Sequence, residues 1–474
     1  MTPSRRMRRA ALAGILPLLG ACASLPADRL QSQLSETVSV RAAQPIDWNS
    51  GAPEDRAARE AVRRMLADEL TAEEAAGIAL LNNRDLRATL ARAQVARADL
   101  IQAGLLANPV FGVSLLRGDT GTETELSLFE DFLNVFTVSA RKRLAAADLE
   151  RTRLEVAQAA LDLVADVKRT YYALVADRQA IELFSQVLDS SEAAAELARR
   201  QREAGTLSLR EQAMHQAFFA QAALESARAE SALSSDREKL NRLLGLWGTD
   251  TGWRLPSRLP PVPEQLPALS GLENRAVGER LDLAARRAEV EAVHLALGYT
   301  QQTRWLSAVG IGFTVKRDPG GSTSSGPDLE FGLPLFDRGQ ARSARLEAQL
   351  QEAENRYAQL AIDVRAEVRE AGGRLAAAHD SIRHYREAIL PLADRVVEET
   401  LKFYNGMLLG VYDLLQAKQS QINAGRDYIT AWREFWVASA DLEHAIGGTL
   451  TLPVATSPAA SPDSASPDTQ HGDH

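Results

Sequence analysis

Cysteine is nearly missing: Cys22 is the single one in 474 residues. That excludes disulfides, thiolate metal sites and a cysteine nucleophile anywhere beyond it. Aromatic residues make up 5%, too few for a series of packed globular cores. No stretch reaches the roughly 18 apolar residues that a membrane-crossing helix needs. A basic surplus is missing too, and a net charge of -9 argues against a nucleic-acid partner, whose footprint is a basic surface. There is no Gly-x-Ser-x-Gly elbow, His-Glu-x-x-His pair, P-loop or dinucleotide fingerprint. Nothing marks an enzyme or a bound cofactor. Glycine and proline, 30 and 19 overall, vanish between Thr122 and Ala204, and a stretch without either is free to run as one helix.

What is present begins with an export signal over residues 1–21. Arg5, Arg6, Arg8 and Arg9 precede the short apolar run Ala10 to Leu19. Leu19-Gly20-Ala21-Cys22 resembles a bacterial lipobox, which predicts acylation of Cys22 and a lipid-anchored segment over residues 22–70. Ala23 and Ser24 follow in place of an aspartate, which by the same resemblance favours the outer membrane.

From Val138 onward Leu149, Val156, Leu163, Val167 and Leu174 recur near seven-residue steps with Arg, Asp and Glu between them. About 65 residues of helix make a rod on the order of 100 Å, which no globular domain accommodates. A second long helix is expected from Gln340 to Asn405, bent at Gly372-Gly373 and Pro391, with return helices at Leu209–Leu243 and Val411–Ile446. Similar features recur about 200 residues apart, the mark of a duplication. Thr71-x-x-Glu74 and Ser270-x-x-Glu273 both read as capping boxes. Arg84-Asp85-Leu86 is echoed by Leu281-Asp282-Leu283, and Gly205 by Gly406. The expected domains are repeat 1 over 71–248, a Pro-rich connector over 249–269, repeat 2 over 270–448 and a Ser/Pro tail over 449–474.

Each repeat holds a strand pair. In Ala308–Val315 and Asp328–Leu335 apolar residues alternate with small or polar ones, joined by a loop over Gly320–Gly326; Val110–Leu116 and Glu123–Phe129 form the other pair. Dyad alternation of this kind fits membrane β-barrel strands, and it also fits soluble hairpins packed on helices. In a membrane, four strands cannot close a barrel, and an open edge leaves backbone groups unpaired in lipid. The chain is then expected to share its barrel with further copies, three of which would supply twelve strands.

These residues resemble the TolC-like outer membrane factors, in their lipoprotein branch, over about Thr71 to Gly448. The resemblance rests on the segment from Tyr404-Asn405-Gly406 to Leu415-Gln416-Ala417, on Ala204–Glu211, and on Phe331-Gly332-Leu333-Pro334-Leu335-Phe336-Asp337-Arg338-Gly339. It implies a mainly α chain of two tandem repeats of long coiled-coil helices, each with a two-stranded hairpin. It further implies a homotrimer forming a 12-stranded membrane β-barrel and an α-helical barrel across the periplasm. The partners would be a periplasmic adaptor and an inner-membrane pump, proton-driven by expectation, with passive export of small molecules or metal ions. Two alternatives stand beside this: the outlet of an ATP-driven secretion system, and a poreless lipid-anchored periplasmic scaffold.

The resemblance also places candidate residues. Asp413 would form a ring of three like charges at a closing constriction, attracting cations, or else be a solvated helix-face aspartate. Gln416 stands where the family often has a second acid, and Leu409 with Val411 forms an apolar plug or coiled-coil packing. Glu211, with Tyr404 as a hydroxyl partner, would tie helix tips together. Gly205 and Gly406 are expected at positive φ in the turns. Leu207 and Leu408 are adaptor contacts or staples of the turn itself. His215 and His384 read as surface residues, and the tail ends in His471 and His474.

Overall fold

The structure is a computed structural model and describes residues 28–44, 48, 52–119, 121–131, 133–305 and 309–450. Cys22, the signal segment, Ala308, His471 and His474 lie outside the described residues.

Eleven helices and four strands are described: α1 (Asp28–Ala42), α2 (Ala52–Met65), α3 (Ala72–Asn82), α4 (Arg84–Ala103), β1 (Val110–Gly118), β2 (Gly121–Asp131), α5 (Leu133–Glu203), α6 (Leu209–Leu244), α7 (Leu272–Glu279), α8 (Leu281–Thr303), β3 (Val309–Arg317), β4 (Thr323–Phe331), α9 (Gln340–His384), α10 (Leu390–Asn405) and α11 (Val411–Ile446). The order helix, helix, hairpin, long helix, return helix occurs twice. With 71 residues, α5 is roughly 105 Å long at the α-helical rise.

The chain divides into two compact units, each drawing on both halves of the sequence. Unit 1 gathers the residues up to Val62 with Gly77–Val164 and Val277–Arg365; unit 2 gathers Arg63–Ala76, Ala165–Ala276 and the chain from Ala366. Unit 1 buries Leu34, Val38, Ile78, Leu80 and Val156, and the Trp48 indole N–H donates to the Leu80 carbonyl over 2.9 Å. Unit 2 buries Leu174, Leu240, Leu375, Phe435, Leu442 and Ile446.

Local signals explain most boundaries. Thr71 and Glu74 form the expected capping box, with Glu74 N–H to Thr71 Oγ1 at 3.2 Å and Thr71 N–H to Glu74 Oε2 at 3.0 Å. Its expected partner at Ser270 does not form. Gly271, at φ +83°, takes the N-cap place of α7, and Glu273 pairs with Arg369 at 2.9 Å instead. Nor does Gly372-Gly373 break α9, whose helix runs on to His384. The interruption falls at Tyr385–Ile389, a π-turn in which the Leu390 N–H donates to the Tyr385 carbonyl. Pro391 explains it: without an N–H and with its ring against the preceding turn, it cannot continue the regular ladder. The buried stripe Val364, Val368, Ala371, Leu375, Ala378, Ile382 ends there; beyond the π-turn buried Val397 lies on a face with Leu390, Asp394 and Leu401 that lines a groove, one residue out of phase.

All four strands form one antiparallel sheet in unit 1, in the order β1-β2-β3-β4. Two expectations for the second hairpin need correction. Its turn is Asp318–Ser322, closed by Asp318 N–H to Ser322 O at 3.0 Å with Gly321 at positive φ, not a loop over Gly320–Gly326. And β4 ends at Phe331, not Leu335, because the tight turn sets the register Arg317↔Thr323 to Val309↔Phe331 and Pro334 could not donate to a ladder. Pro327 is tolerated within β4 because β4 is an edge strand of this sheet.

A Cβ added to Gly310 would meet the Phe129 ring at 1.9 Å, and one added to Gly312 at 3.1 Å. Phe129 lies across both glycines. Gly310→Ala is expected to cost about 1–3 kcal/mol through overpacking. Adding Phe129→Ala should recover most of that loss in urea unfolding of the double variant. Additive losses would remove Phe129 as the cause.

Candidate pore wall and helical turns

The register gives the sheet two chemically distinct faces. On one, rows across the strands run Val113–Leu126–Val315–Ser325, then Phe111–Leu128–Phe313–Pro327, then Glu130–Ile311–Leu329, then Val309–Phe331. Apolar side chains on this face stand in the open, Phe111 at 65% and Phe331 at 63% exposure. A water-soluble sheet would bury such a face. The opposite face carries Glu123, Glu125, Asp131, Asp328 and Glu330 among Ser114, Ser127, Thr314 and glycines, with Val110, Leu116 and Phe129 as its apolar members. Its one lysine, Lys316, is ion-paired to Glu123 at 2.8 Å. No described helix is long and apolar enough to cross a membrane.

The two helical turns are Schellman motifs built on different residues. At the end of α5 the Thr206 N–H donates to the Gln201 carbonyl and the Gly205 N–H to that of Arg202, with Gly205 at φ +74°. At the end of α10 the Leu408 N–H donates to the Phe403 carbonyl and the Met407 N–H to that of Tyr404. Here the left-handed residue is Met407 at φ +57°, and Gly406 sits at φ -77°. The expectation of positive φ at Gly406 is thus wrong by one residue, because the helix takes in Asn405 and caps on Gly406. Met407 is 94% and Leu408 72% exposed, and Val411 is buried at 4%. Leu207 is half-buried, and Asp413, Gln416 and Leu409 are exposed.

Both acids near the turns cap helices. The Glu211 carboxylate accepts from the Ser208 N–H at 3.0 Å and hydroxyl at 2.7 Å, which hold it below the usual carboxylate range. Asp413 Oδ2 accepts from the Gly410 N–H at 3.2 Å. Half-buried Tyr404 makes no side-chain hydrogen bond to Glu211 among the described residues. One turn beyond Glu211, burial pushes the His215 imidazole below its usual value. His384 is exposed.

Unit 2 also holds polar contacts that sequence reasoning missed. Asp441 joins two helices at once, accepting from Arg169 Nε at 2.5 Å and from the Arg374 guanidinium at 3.0 Å. Lys168 meets Glu443 at 2.6 Å. The Pro-rich connector is strapped down by its own carbonyls: Trp432 and Trp436 donate to the Pro260 oxygen at 2.8 and 3.0 Å. Asp177 faces Asp236, with Arg433 and Lys239 nearby; burial first, then the Asp236 charge, push it from 3.8 up to about 6. Its Oδ2 is buried without a hydrogen-bond partner. The spacing of Trp432 and Trp436, one helical turn apart, was the sole sequence signal for any of this. No group of three or more His, Cys, Asp or Glu among the described residues is placed to hold a metal ion.

A sheet with an exposed apolar face and an acidic face, carried on helices of this length, defines a membrane channel subunit. Residues 75–246 and 274–448 match the family described as outer membrane efflux protein, and the chain belongs to that family. It is 25% identical over 400 residues to the cobalt-zinc-cadmium resistance protein CzcC of Cupriavidus metallidurans, covering 81% of this chain and 91% of that protein. The CmeC outer membrane channel of Campylobacter jejuni superposes with a TM-score of 0.70 at 16% identity, over 87% of this chain and 91% of that one. The outer membrane protein VceC of Vibrio cholerae gives 0.66 at 19%, over 80% and 96%. The chain is an outer-membrane efflux channel protein, not an enzyme.

The turns separate by substitution. Gly205→Ala forces a Cβ into the left-handed region and should lower stability by about 1 kcal/mol, whereas Gly406→Ala should be near neutral. Met407→Gly relieves the same strain and should stabilise by up to about 1 kcal/mol. Thermal unfolding of the three variants tests the order.

The raised Asp177 makes a pH-dependent prediction. Between about pH 4 and 6 the unfolded chain has already lost a proton that the folded chain still holds, so stability falls as pH rises through that window. Asp177→Asn keeps a donor toward Asp236 without the charge. It should add on the order of 1 kcal/mol at neutral pH, after discounting for solvent screening, with the gain gone below about pH 4.

Proposed function

We propose that the chain is the exit duct of a tripartite exporter and that three copies close a barrel of twelve strands by pairing the free edges of β1 and β4. The observation that carries this is the sheet itself: four strands, two open edges, one exposed apolar face. Edges left open in lipid cost several kcal/mol for each unpaired group, so only a closed barrel is viable. In that arrangement the apolar face meets lipid, the acidic face lines water, and α5, α6, α9, α10 and α11 extend into the periplasm. Cys22, once acylated, would anchor each copy in the outer membrane.

The duct carries no energy source; a periplasmic adaptor and an inner-membrane pump, proton-driven in our reading, supply it. Leu408 and Leu207 at the turns are the proposed adaptor contacts. Asp413 with Gln416 and Leu409 forms the proposed constriction, and Glu211 with Tyr404 ties neighbouring tips. The acidic wall favours cationic cargo. Five carboxylates face one lysine on each copy, and the resistance named for CzcC makes divalent metal cations the proposed substrate class.

Neutralising three wall carboxylates (Glu125→Gln, Asp328→Asn, Glu330→Gln) should move the reversal potential in a salt gradient toward zero while conductance persists. Cation selectivity left unchanged would take the acidic face out of the pore. A photo-cross-linker at Leu408 should capture an adaptor that brings a proton-driven pump. An ATP-driven exporter in its place would reassign the duct to secretion, and absence of conductance would leave the poreless scaffold.

A further inference from the structure

At the hairpin-turn end the apolar face changes character within one row. Beyond Val113–Leu126–Val315–Ser325 lies Leu115–Thr124–Arg317–Thr323, and beyond that Arg117–Thr122. Arg117 and Arg317 therefore share the face of Phe111, Val113, Ile311 and Phe313, not that of Glu123 and Lys316. Both arginines are exposed. Neither makes an ion pair or a side-chain hydrogen bond among the described residues, whereas Lys316 on the opposite face is paired to Glu123. The threonines Thr122, Thr124 and Thr323 lie between and beside them and add hydroxyl donors.

We infer that Arg117 and Arg317, with these threonines, form a binding site for the phosphate of lipid headgroups at the edge of the apolar band. The inference rests on the reading of this sheet as a membrane wall. The apolar rows from Val309 to Val315 span roughly 20 Å along the strand, about 15 Å of height at the tilt of barrel strands, so the next two residues bring Arg317 to the margin of a lipid-facing band about 25 Å tall. The two guanidiniums thus stand where acyl chains give way to headgroups, at the end of the sheet away from the helices. A guanidinium presents a planar fork that phosphate oxygens accept in pairs, and its aliphatic stem packs along the acyl region below. A carboxylate partner within the chain would have quenched this; among the described residues none pairs with either arginine. At the opposite end of the strands the apolar face closes on the row Val309–Phe331, with no arginine on it. The free arginine pair belongs to the hairpin end, so the phosphate preference is assigned to that leaflet.

The test uses the full-length protein in phosphatidylcholine vesicles, with spin-labelled phosphatidic acid and spin-labelled phosphatidylcholine reporting the lipid in contact with it. The wild type should favour phosphatidic acid by several-fold. The double variant Arg117→Gln, Arg317→Gln should bring the ratio close to one, each single variant should fall between, and Arg117→Lys with Arg317→Lys should keep part of the preference. Channel conductance in the same vesicles reports that each variant is assembled. A preference that survives the double Gln variant overturns the site and leaves the barrel reading standing. So does a wild-type preference abolished by inorganic phosphate, which would assign the arginines to a soluble anion. Absence of any immobilised lipid around the wild type overturns the site and the barrel reading together.

Discussion

Unpaired backbone at the outer edges of β1 and β4 is the constraint on which the rest of this molecule depends. Each edge presents a row of N–H and C=O groups, and beside it an apolar face that water does not favour. Neither requirement can be met inside one chain, because no further described strand is available to cap the sheet. In the proposed barrel a second copy meets the first requirement and lipid meets the second. There oligomerisation and membrane insertion are in this sense one event.

The two faces also divide the labour of specificity. On the lipid side the side chains are interchangeable in kind, Val, Leu, Ile and Phe, since lipid asks for area and little else. On the other side the packing is particular. Phe129 covers Gly310 and Gly312, filling with one ring the space of two absent side chains, while carboxylates occupy the neighbouring positions. A cross-strand ring over glycine stiffens the wall without narrowing it by further side chains, a useful property where cargo must pass.

Much of the architecture was legible in the sequence, and the reasons it was legible are physical. The helices announced themselves by a Gly- and Pro-free stretch and a heptad-like stripe, and the hairpins by period-two alternation. What failed was information that lies in the partner of a residue. Thr323-Ser324-Ser325-Gly326 reads as loop, yet it is strand, because β3 opposite offers a ladder and a five-residue turn suffices. Gly406 looked like the left-handed residue of the second turn, but Met407 takes that conformation since the helix cap falls one residue later than the glycine suggests. The Arg169–Asp441–Arg374 junction joins residues far apart in sequence, and the pairing of Asp177 with Asp236 likewise has no local signature. Among the candidate site residues, Leu408 and Asp413 are exposed, which for Asp413 fits a constriction acid and a solvated helix-face residue alike. Glu211 read as a tie between helix tips and Asp413 as a constriction acid or a solvated helix-face residue; that both cap helices was not read.

The π-turn at Tyr385–Ile389 divides one continuous rod into two with separate angular settings. A single extra residue advances the side-chain stripe by roughly 100°. Val364 to Ile382 therefore address one set of neighbours, and Leu390 to Leu401 another. At Leu390 the regular ladder gives way to a bond reaching back five residues to Tyr385. The segment leading to the Met407 turn is thereby set at its own angle about the helix axis, and neither helix has to unwind to achieve it.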